Sequence, residues 1–243
     1  MKLKSKLLLA LLASSSAAFA QTAPAAPEVT YNVGVVSQYR YRGLAQTKGQ
    51  PALQGGVDYA NASGYYLGAW ASQIKWIEDI SATSSGKTEL DLYGGYKFKA
   101  SDLDFDVGFL RYQYVGNNLN PNANTNEVYG AVTSGVHTLK LSYAMTNLFG
   151  AVNTKGADYL DWTANYDLGS GLTLSPHLGR AIVANGLSYS DGALTLAKDM
   201  GGGLTATAAA IVTNAKNPSA FNGPVSGYAT GKSAVVVGLK YGF

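Results

Sequence analysis

Strict period-2 alternation of apolar and polar residues, repeated along nearly the whole chain, is the feature that most limits its fold. Leu90, Leu92, Gly94, Tyr96 and Phe98 alternate with Glu89, Asp91, Tyr93, Gly95 and Lys97. Leu139, Leu141, Tyr143 and Met145 alternate with Thr138, Lys140, Ser142 and Ala144. No window carries a 3.6-residue apolar period of helix length, so the pattern reads as strands throughout. About twelve such segments follow from it. They lie near 29–41, 51–60, 65–75, 88–98, 103–115, 127–136, 138–147, 158–168, 172–183, 190–198, 204–213 and 233–243, the sixth and tenth being the weakest.

The connections sort into two kinds that alternate. Short turns fall at Asn61–Gly64, Lys99–Asp102, near Val136–His137, at Gly169–Gly171 and at Asp199–Gly203. Longer polar loops fall at Arg42–Gln50, Trp76–Lys87, Gly116–Asn126, Leu148–Ala157, Ala184–Tyr189 and Asn214–Lys232. A soluble sandwich has no reason to sort loop lengths this way. A closed antiparallel transmembrane β-barrel does, with short periplasmic turns and long external loops. Hydrocarbon offers no hydrogen bonds, so a sheet in it must close on itself. The predicted fold is therefore an all-β barrel of about 12 strands over residues 29–243.

Composition supports this. Charged residues are 14% of the chain, against about 25% in a typical soluble domain. Cys is absent and His numbers two, which excludes a disulfide framework, a thiol nucleophile and the usual zinc sites. No cofactor and no metal are expected. Lys2, Lys4 and Lys6, an apolar run from Leu7 to Ala13, and Ala18-Phe19-Ala20 read as a signal peptide over residues 1–20, cut between Ala20 and Gln21. Residues 21–28 (QTAPAAPE) read as a linker. The signal's three lysines account for the whole charge surplus, since eighteen basic residues fall to fifteen against fifteen acidic ones. Nothing then points to nucleic acid.

Parity assigns the charges. Lys97, Lys140, Lys240, Asp58, Glu89, Asp91, Asp104, Asp106, Asp161 and Asp167 sit on the polar face. That face must line the lumen, because a Lys or Arg facing lipid at mid-membrane costs about 2–4 kcal/mol. Arg40, Glu89, Asp91, Asp106, Lys140, Asp161 and Lys240 are the expected pore-lining residues. Arg111 and Arg180 fall on the apolar parity, which places them at the external rim or at a bulge. Tyr39, Tyr41, Trp76 and Trp162 are expected in an external aromatic girdle, and Tyr59 and Tyr241 in a periplasmic one. His137 reads as a solvated turn residue. Val235, Val237, Leu239, Tyr241 and Phe243 form the apolar face of a last strand with a terminal aromatic, which resembles the assembly signal of bacterial outer-membrane proteins.

The segment Ser37-Gln38-Tyr39-Arg40-Tyr41-Arg42-Gly43-Leu44-Ala45-Gln46-Thr47, then Pro51-Ala52-Leu53-Gln54-Gly55-Gly56, resembles the opening of the TorF-family porins, also called Gcw_chp-type proteins. That family opens on Tyr-x-Phe-Arg-Gly-x-Ser-x-Thr; here Tyr41 stands for the Phe and Ala45 for the Ser. Lys198-Asp199-Met200-Gly201-Gly202-Gly203-Leu204-Thr205 resembles its late turn. The resemblance spans 29–243 and implies a barrel and a channel, with no catalytic residues to carry over.

The resulting expectation is an outer-membrane channel for passive diffusion of small polar solutes or ions, with weak cation preference, and not an enzyme. Eight strands enclose a lumen filled by side chains and sixteen leave an aqueous channel, so twelve fits a narrow or a plugged pore. Asn214–Lys232 is a candidate to fold inward and gate it. Expected partners are outer-membrane lipids, the barrel assembly machinery and small polar solutes, and self-association stays open. Two other readings remain. One is an outer-membrane hydrolase using Ser175 and His177, against which stand Pro176 and the lack of a G-x-S-x-G elbow. The other is a non-conducting structural or adhesive barrel. Gly231-Lys232-Ser233 is set aside as a phosphate loop, because that motif needs Gly at the position of Ser226 and a following helix.

Overall fold

The computed structural model describes residues 27–80, 84–215 and 231–243. The proposed signal segment lies outside the described residues, as does most of Asn214–Lys232. One antiparallel sheet of twelve wall strands closes on itself. They are β1 (Glu28–Val36), β2 (Ala52–Ala60), β3 (Tyr65–Gln73), β4 (Thr88–Ala100), β5 (Leu103–Val115) and β6 (Thr125–Ser134). The second half is β7 (His137–Ala144), β8 (Asp158–Ala164 and Tyr166–Gly169, broken at Asn165), β9 (Leu172–Ile182), β10 (Tyr189–Gly201), β11 (Leu204–Thr213) and β12 (Ala234–Gly242). Each strand pairs with its sequence neighbours, and β1 pairs with β12 to seal the barrel. The two weakest segments of the sequence pattern are both strands.

The apolar parity faces outward. Leu67 is 64% exposed, Leu178 62% and Val235 70%. A band of such residues on every wall strand is far larger than a soluble monomer presents, and it fits a lipid-facing surface. The short connections all lie at one end with both described termini, and the long ones at the other. At the turn end, a Cβ on Gly203 (φ +88°) would run into the Gly242 carbonyl oxygen, so the tight β10–β11 turn requires glycine there.

Aromatic rings cluster at the turn-end rim. Tyr31 stacks on Phe243 at 5.7 Å and Phe98 on Phe105 at 5.1 Å, and Tyr65 meets Tyr96 at a tilt, 4.8 Å between centroids. Tyr59 and Tyr241 lie at this end. Trp162, expected at the external rim, lies nearer the turns and stacks on His137 at 5.8 Å. The reason is register: Trp162 faces Leu139, two residues from the start of β7. His137 is thus part of the aromatic rim. Arg111 and Arg180 lie near the loop end, where register is unbroken, so neither marks a bulge. Arg111 bonds Gln113 and Asn126, and Arg180 bonds Ser190.

The last residue helps to close the barrel. The Tyr31 amide donates to the Phe243 carbonyl at 2.8 Å, and the Phe243 amide to the Tyr31 carbonyl at 3.0 Å. Its ring stacks on both Tyr31 and Tyr241. Each such ring pair contributes about 0.5–1.5 kcal/mol. Truncation after Gly242 is expected to lower the yield of heat-modifiable, folded barrel on refolding in detergent, and an unchanged yield would show the seam is indifferent to it.

The first strand is shorter than the alternation suggests. It ends at Val36 rather than at residue 41. Arg42 (φ 44°) and Gly43 (φ 79°) then turn the chain back in a small hairpin, Arg40–Tyr41 against Leu44–Ala45. The hairpin is itself extended, so its period-2 pattern continues that of the wall strand.

Candidate functional site: the lumen and the loop that crosses it

The first long connection, residues 37–51, does not stand out into solvent. Tyr39, Arg40, Tyr41, Arg42, Leu44, Ala45, Gln46 and Thr47 are all buried. Internal bonds shape it: the Tyr39 amide donates to Thr47 Oγ1 at 3.0 Å, and Thr47 Oγ1 donates to the Gln50 carbonyl at 2.6 Å. Arg40 was expected on the wall of the pore. It lies in this loop instead, donating to Gln38 Oε1 at 2.9 Å and to the carbonyls of Gly43 and Lys232 at 3.1 and 2.7 Å. The correction follows from β1 ending early.

The loop reaches both sides of the lumen. At its tip, a Cβ on Gly43 would sit 2.6 Å from Asp191 Cβ and 3.0 Å from Thr213 Cβ, so the backbone is pressed against β10 and β11. Across the barrel, Arg42 makes a forked pair with Glu127 on β6, at 2.9 and 2.7 Å. Both side chains are at most 5% exposed. The guanidinium also lies over the rings of Tyr41 (4.8 Å) and Tyr159 (4.2 Å). Burial alone would push Arg42 towards its neutral form; Glu127, with Tyr41 and Tyr112, offsets it and holds the charge. Tyr39 donates to Glu89 Oε1 on β4 at 2.6 Å, and the Tyr41 and Tyr112 hydroxyls meet at 2.8 Å.

A second layer lies on top. The loop 76–87, expected to be polar, carries a short helix, Trp76–Ile80, with Trp76 and Ile77 buried. The amides of Lys75 and Trp76 donate to the Gln46 carbonyl, tying this loop to the first. Trp76 meets Tyr114 edge-on at 5.0 Å, and Phe149 meets Tyr41 and Tyr112 at 5.5 and 5.3 Å. Tyr39, Tyr41 and Trp76 are therefore not girdle residues. Their rings fill the upper lumen, because the loops that carry them fold inward.

Below the loop the lining is polar. Tyr66 donates to Asp106 Oδ1 at 2.6 Å and also meets the Tyr129 hydroxyl. Lys97 lies 5.0 Å from the Tyr66 ring and Lys140 3.9 Å from the Tyr129 ring. Lys99 faces Asp104 at 3.7 Å. Glu89, Asp91, Lys140 and Asp161 are buried on the inward face, while Asp106 and Lys240 are half-buried lower down. These sequence-derived positions do not form one cluster; they are spread around and along the wall. Asp106 and Lys140 meet through Tyr66 and Tyr129, and Asp161 joins a second group with His177 and Asp191. His177 Nδ1 lies 3.3 Å from Asp161 and Nε2 3.0 Å from Asp191, with the Tyr159 hydroxyl donating to Asp191 at 3.0 Å.

Arg42, Glu127, Tyr112 and Asp191 were not singled out from the sequence. A signal for Arg42 was present: Tyr-Arg-Tyr-Arg-Gly-Leu is too aromatic for a solvated loop. The Ser175–His177 pair shares a face, but Ser175 Oγ donates to Asn165 Oδ1 at 2.7 Å. Both imidazole nitrogens face carboxylates. A general base must meet its nucleophile, and this geometry directs the two elsewhere. Among the described residues no group of three or more His, Cys, Asp or Glu side chains is arranged to hold a metal ion.

The Gcw_chp family profile, described as a bacterial protein of unknown function, matches residues 20–243. The chain belongs to the Gcw_chp family. The motif that carries the TorF-type resemblance is the inward-folded loop itself. A search of curated proteins by sequence gives no match. Among solved structures this family member is similar to the KdgM porin in complex with disordered oligogalacturonate, at 11% identity and a TM-score of 0.53, covering 88% of this chain and 98% of that one. It is similar to the NanC porin at 10% identity and a TM-score of 0.54, covering 88% and 99%. At such identities the likeness is one of fold: a closed twelve-stranded porin-type barrel.

Proposed function

We propose that this protein is a channel of the bacterial outer membrane, passing small polar solutes and ions by passive diffusion, with the first external loop as its constriction. The observation that carries this reading is a closed barrel, apolar outside and charged inside, crossed near its loop end by one anchored segment. Porin-type folds in KdgM and NanC support it. Outer-membrane lipids would surround the apolar band, and the terminal strand would serve the barrel assembly machinery.

Selectivity comes from lining charge and width. Arg42 is matched by Glu127 and Lys99 by Asp104, while on the inward face Asp58, Glu89, Asp106, Asp161 and Asp191 outnumber Lys97, Lys140 and Lys240. The acidic excess favours cations. The detergent-extracted protein in a planar bilayer with a salt gradient is expected to give a weakly cation-selective reversal potential. Asp91→Asn with Asp106→Asn should move it toward zero, and an unchanged value would remove these carboxylates from the mechanism. The engagement of Ser175 and His177 with other partners weighs against the hydrolase reading. The polar loops rich in Asn, Ser, Gly and Thr weigh against an adhesive one.

A further inference from the structure

Two arginines stand on the outward face of the wall. Arg111 on β5 shares the parity of Phe109, and Arg180 on β9 that of Leu178, both exposed apolar residues. Each arginine is the ninth residue of its strand counted from the turn end. A strand crosses the hydrocarbon in about 9–11 residues, so both sit where the outer apolar layer gives way to headgroups. An Arg on the lipid face costs about 2–4 kcal/mol at mid-membrane and only about 0–1 kcal/mol at that level. Arg111 is half-buried and pinned. Its Nε and Nη2 donate to Gln113 Oε1 at 3.1 and 2.7 Å, and its Nη1 to Asn126 Oδ1 at 3.1 Å. These acceptors are neutral, and among the described residues neither arginine forms an ion pair with a carboxylate. A guanidinium carries five N–H groups. Three are used here, which leaves one open on each terminal nitrogen, the number that a forked contact to two phosphate oxygens takes.

We propose that Arg111, with Gln113 and Asn126, binds a phosphate group of a phosphorylated glycolipid in the outer leaflet, with Arg180 as a second and weaker contact; the inference rests on the outer-membrane placement in the proposed function. The class follows from charge and depth. Beside and below Arg111 on the same face lie Leu92, Phe109 and Val128, all exposed. A cation above an apolar surface complements a lipid whose anionic headgroup sits above its acyl chains, whereas free phosphate would meet the cation alone. An arginine that merely snorkels extends its head into water. Arg111 instead holds its guanidinium against the wall through three bonds to neighbouring side chains. Arg180 is more exposed and donates to Ser190 Oγ at 3.2 Å. Asp158, outward on β8, lies diagonal to it across the β8–β9 pair and makes that position less attractive to an anion. No acid shares the outward face of β4, β5 or β6 beside Arg111.

The test is native mass spectrometry of the detergent-extracted, delipidated protein titrated with diphosphorylated lipid A and with the same lipid stripped of phosphate, inorganic phosphate serving as competitor. Single-channel recording of the same preparation runs beside it. Lipid A is expected to bind, and the dephosphorylated lipid roughly tenfold more weakly for want of the charged acceptor. Arg111→Gln should weaken lipid A binding roughly tenfold, and Arg180→Gln roughly threefold, as for an exposed charge pair. Arg111→Lys keeps the charge and loses the fork, so its affinity should fall between parent and Arg111→Gln. Lys198→Gln, which removes an outward cation at the turn end of β10, should leave binding unchanged. Equal affinity for the two lipids, unaltered affinity in Arg111→Gln, or displacement of lipid A by an equal concentration of inorganic phosphate would each overturn the site. A conducting barrel that does not distinguish the two lipids overturns the site while leaving the channel standing. Phosphate-dependent lipid binding without conductance upholds the site and removes the channel.

Discussion

Replacing residues 38–48 by a short Gly–Ser turn is expected to raise single-channel conductance several-fold. The wall does not depend on this segment. β1 and β2 pair without interruption from Glu28 against Ala60 to Val36 against Ala52, so the barrel stays sealed when the hairpin is gone. What is lost is the material crossing the lumen, including the buried Tyr39, Tyr41, Arg42 and Leu44. A twelve-stranded barrel is wider than the eight-stranded kind that side chains fill, so its lumen conducts once the crossing segment is removed. Planar-bilayer recording of the shortened protein beside the parent gives the comparison. Equal conductance in the two would mean that the layer of Trp76, Tyr114 and Phe149 sets the constriction.

The second large effect concerns what holds the loop in place. Glu127→Ala should release it. The Arg42–Glu127 pair is buried and forked, and Tyr112 also donates to Glu127 at 3.2 Å. Removing one member of such a pair leaves a buried charge uncompensated and costs about 3–5 kcal/mol. The wall has twelve paired strands and absorbs no such penalty; the loop escapes it by swinging Arg42 into water. The readout is trypsin added to the folded protein. Arg40 and Arg42 are buried in the parent and should be protected, whereas the variant should be cut within the loop. Changing the pair together, Arg42→Met with Glu127→Leu, replaces it by apolar groups of similar volume and should restore protection. Cleavage of both variants at the same rate would assign the anchoring to Gly43 and the aromatic contacts instead.

The wall was legible in the sequence because its cause is local. Every strand separates a lipid face from a lumen face, so Leu90–Phe98 or Leu139–Met145 announce themselves by parity. The inward direction of Glu89, Asp91, Lys140 and Asp161 follows from the same rule. What was not legible depends on distance along the chain. Arg42 and Glu127 are 85 residues apart, and Asp191 meets Gly43 only through closure of the barrel. Alternation also misleads where an inward hairpin follows a wall strand, since both are extended. That is why Tyr39 and Tyr41 read as girdle residues and Arg40 as wall lining. Trp162 failed differently: parity places it outward correctly, and only the strand register decides which rim it joins. Asn214–Lys232, the sequence's candidate for an inward loop, lies mostly outside the described residues; the inward fold of residues 37–51 was not singled out from the sequence.

The central claim, a conducting lumen narrowed by an anchored loop, is tested most directly by single-channel current of the unmodified, detergent-extracted protein in a planar bilayer, recorded beside the loop-shortened variant. The account predicts discrete, reproducible and small current steps for the parent and larger ones for the variant, both weakly cation-selective. Two heat-modifiable, correctly folded barrels that never conduct would contradict it.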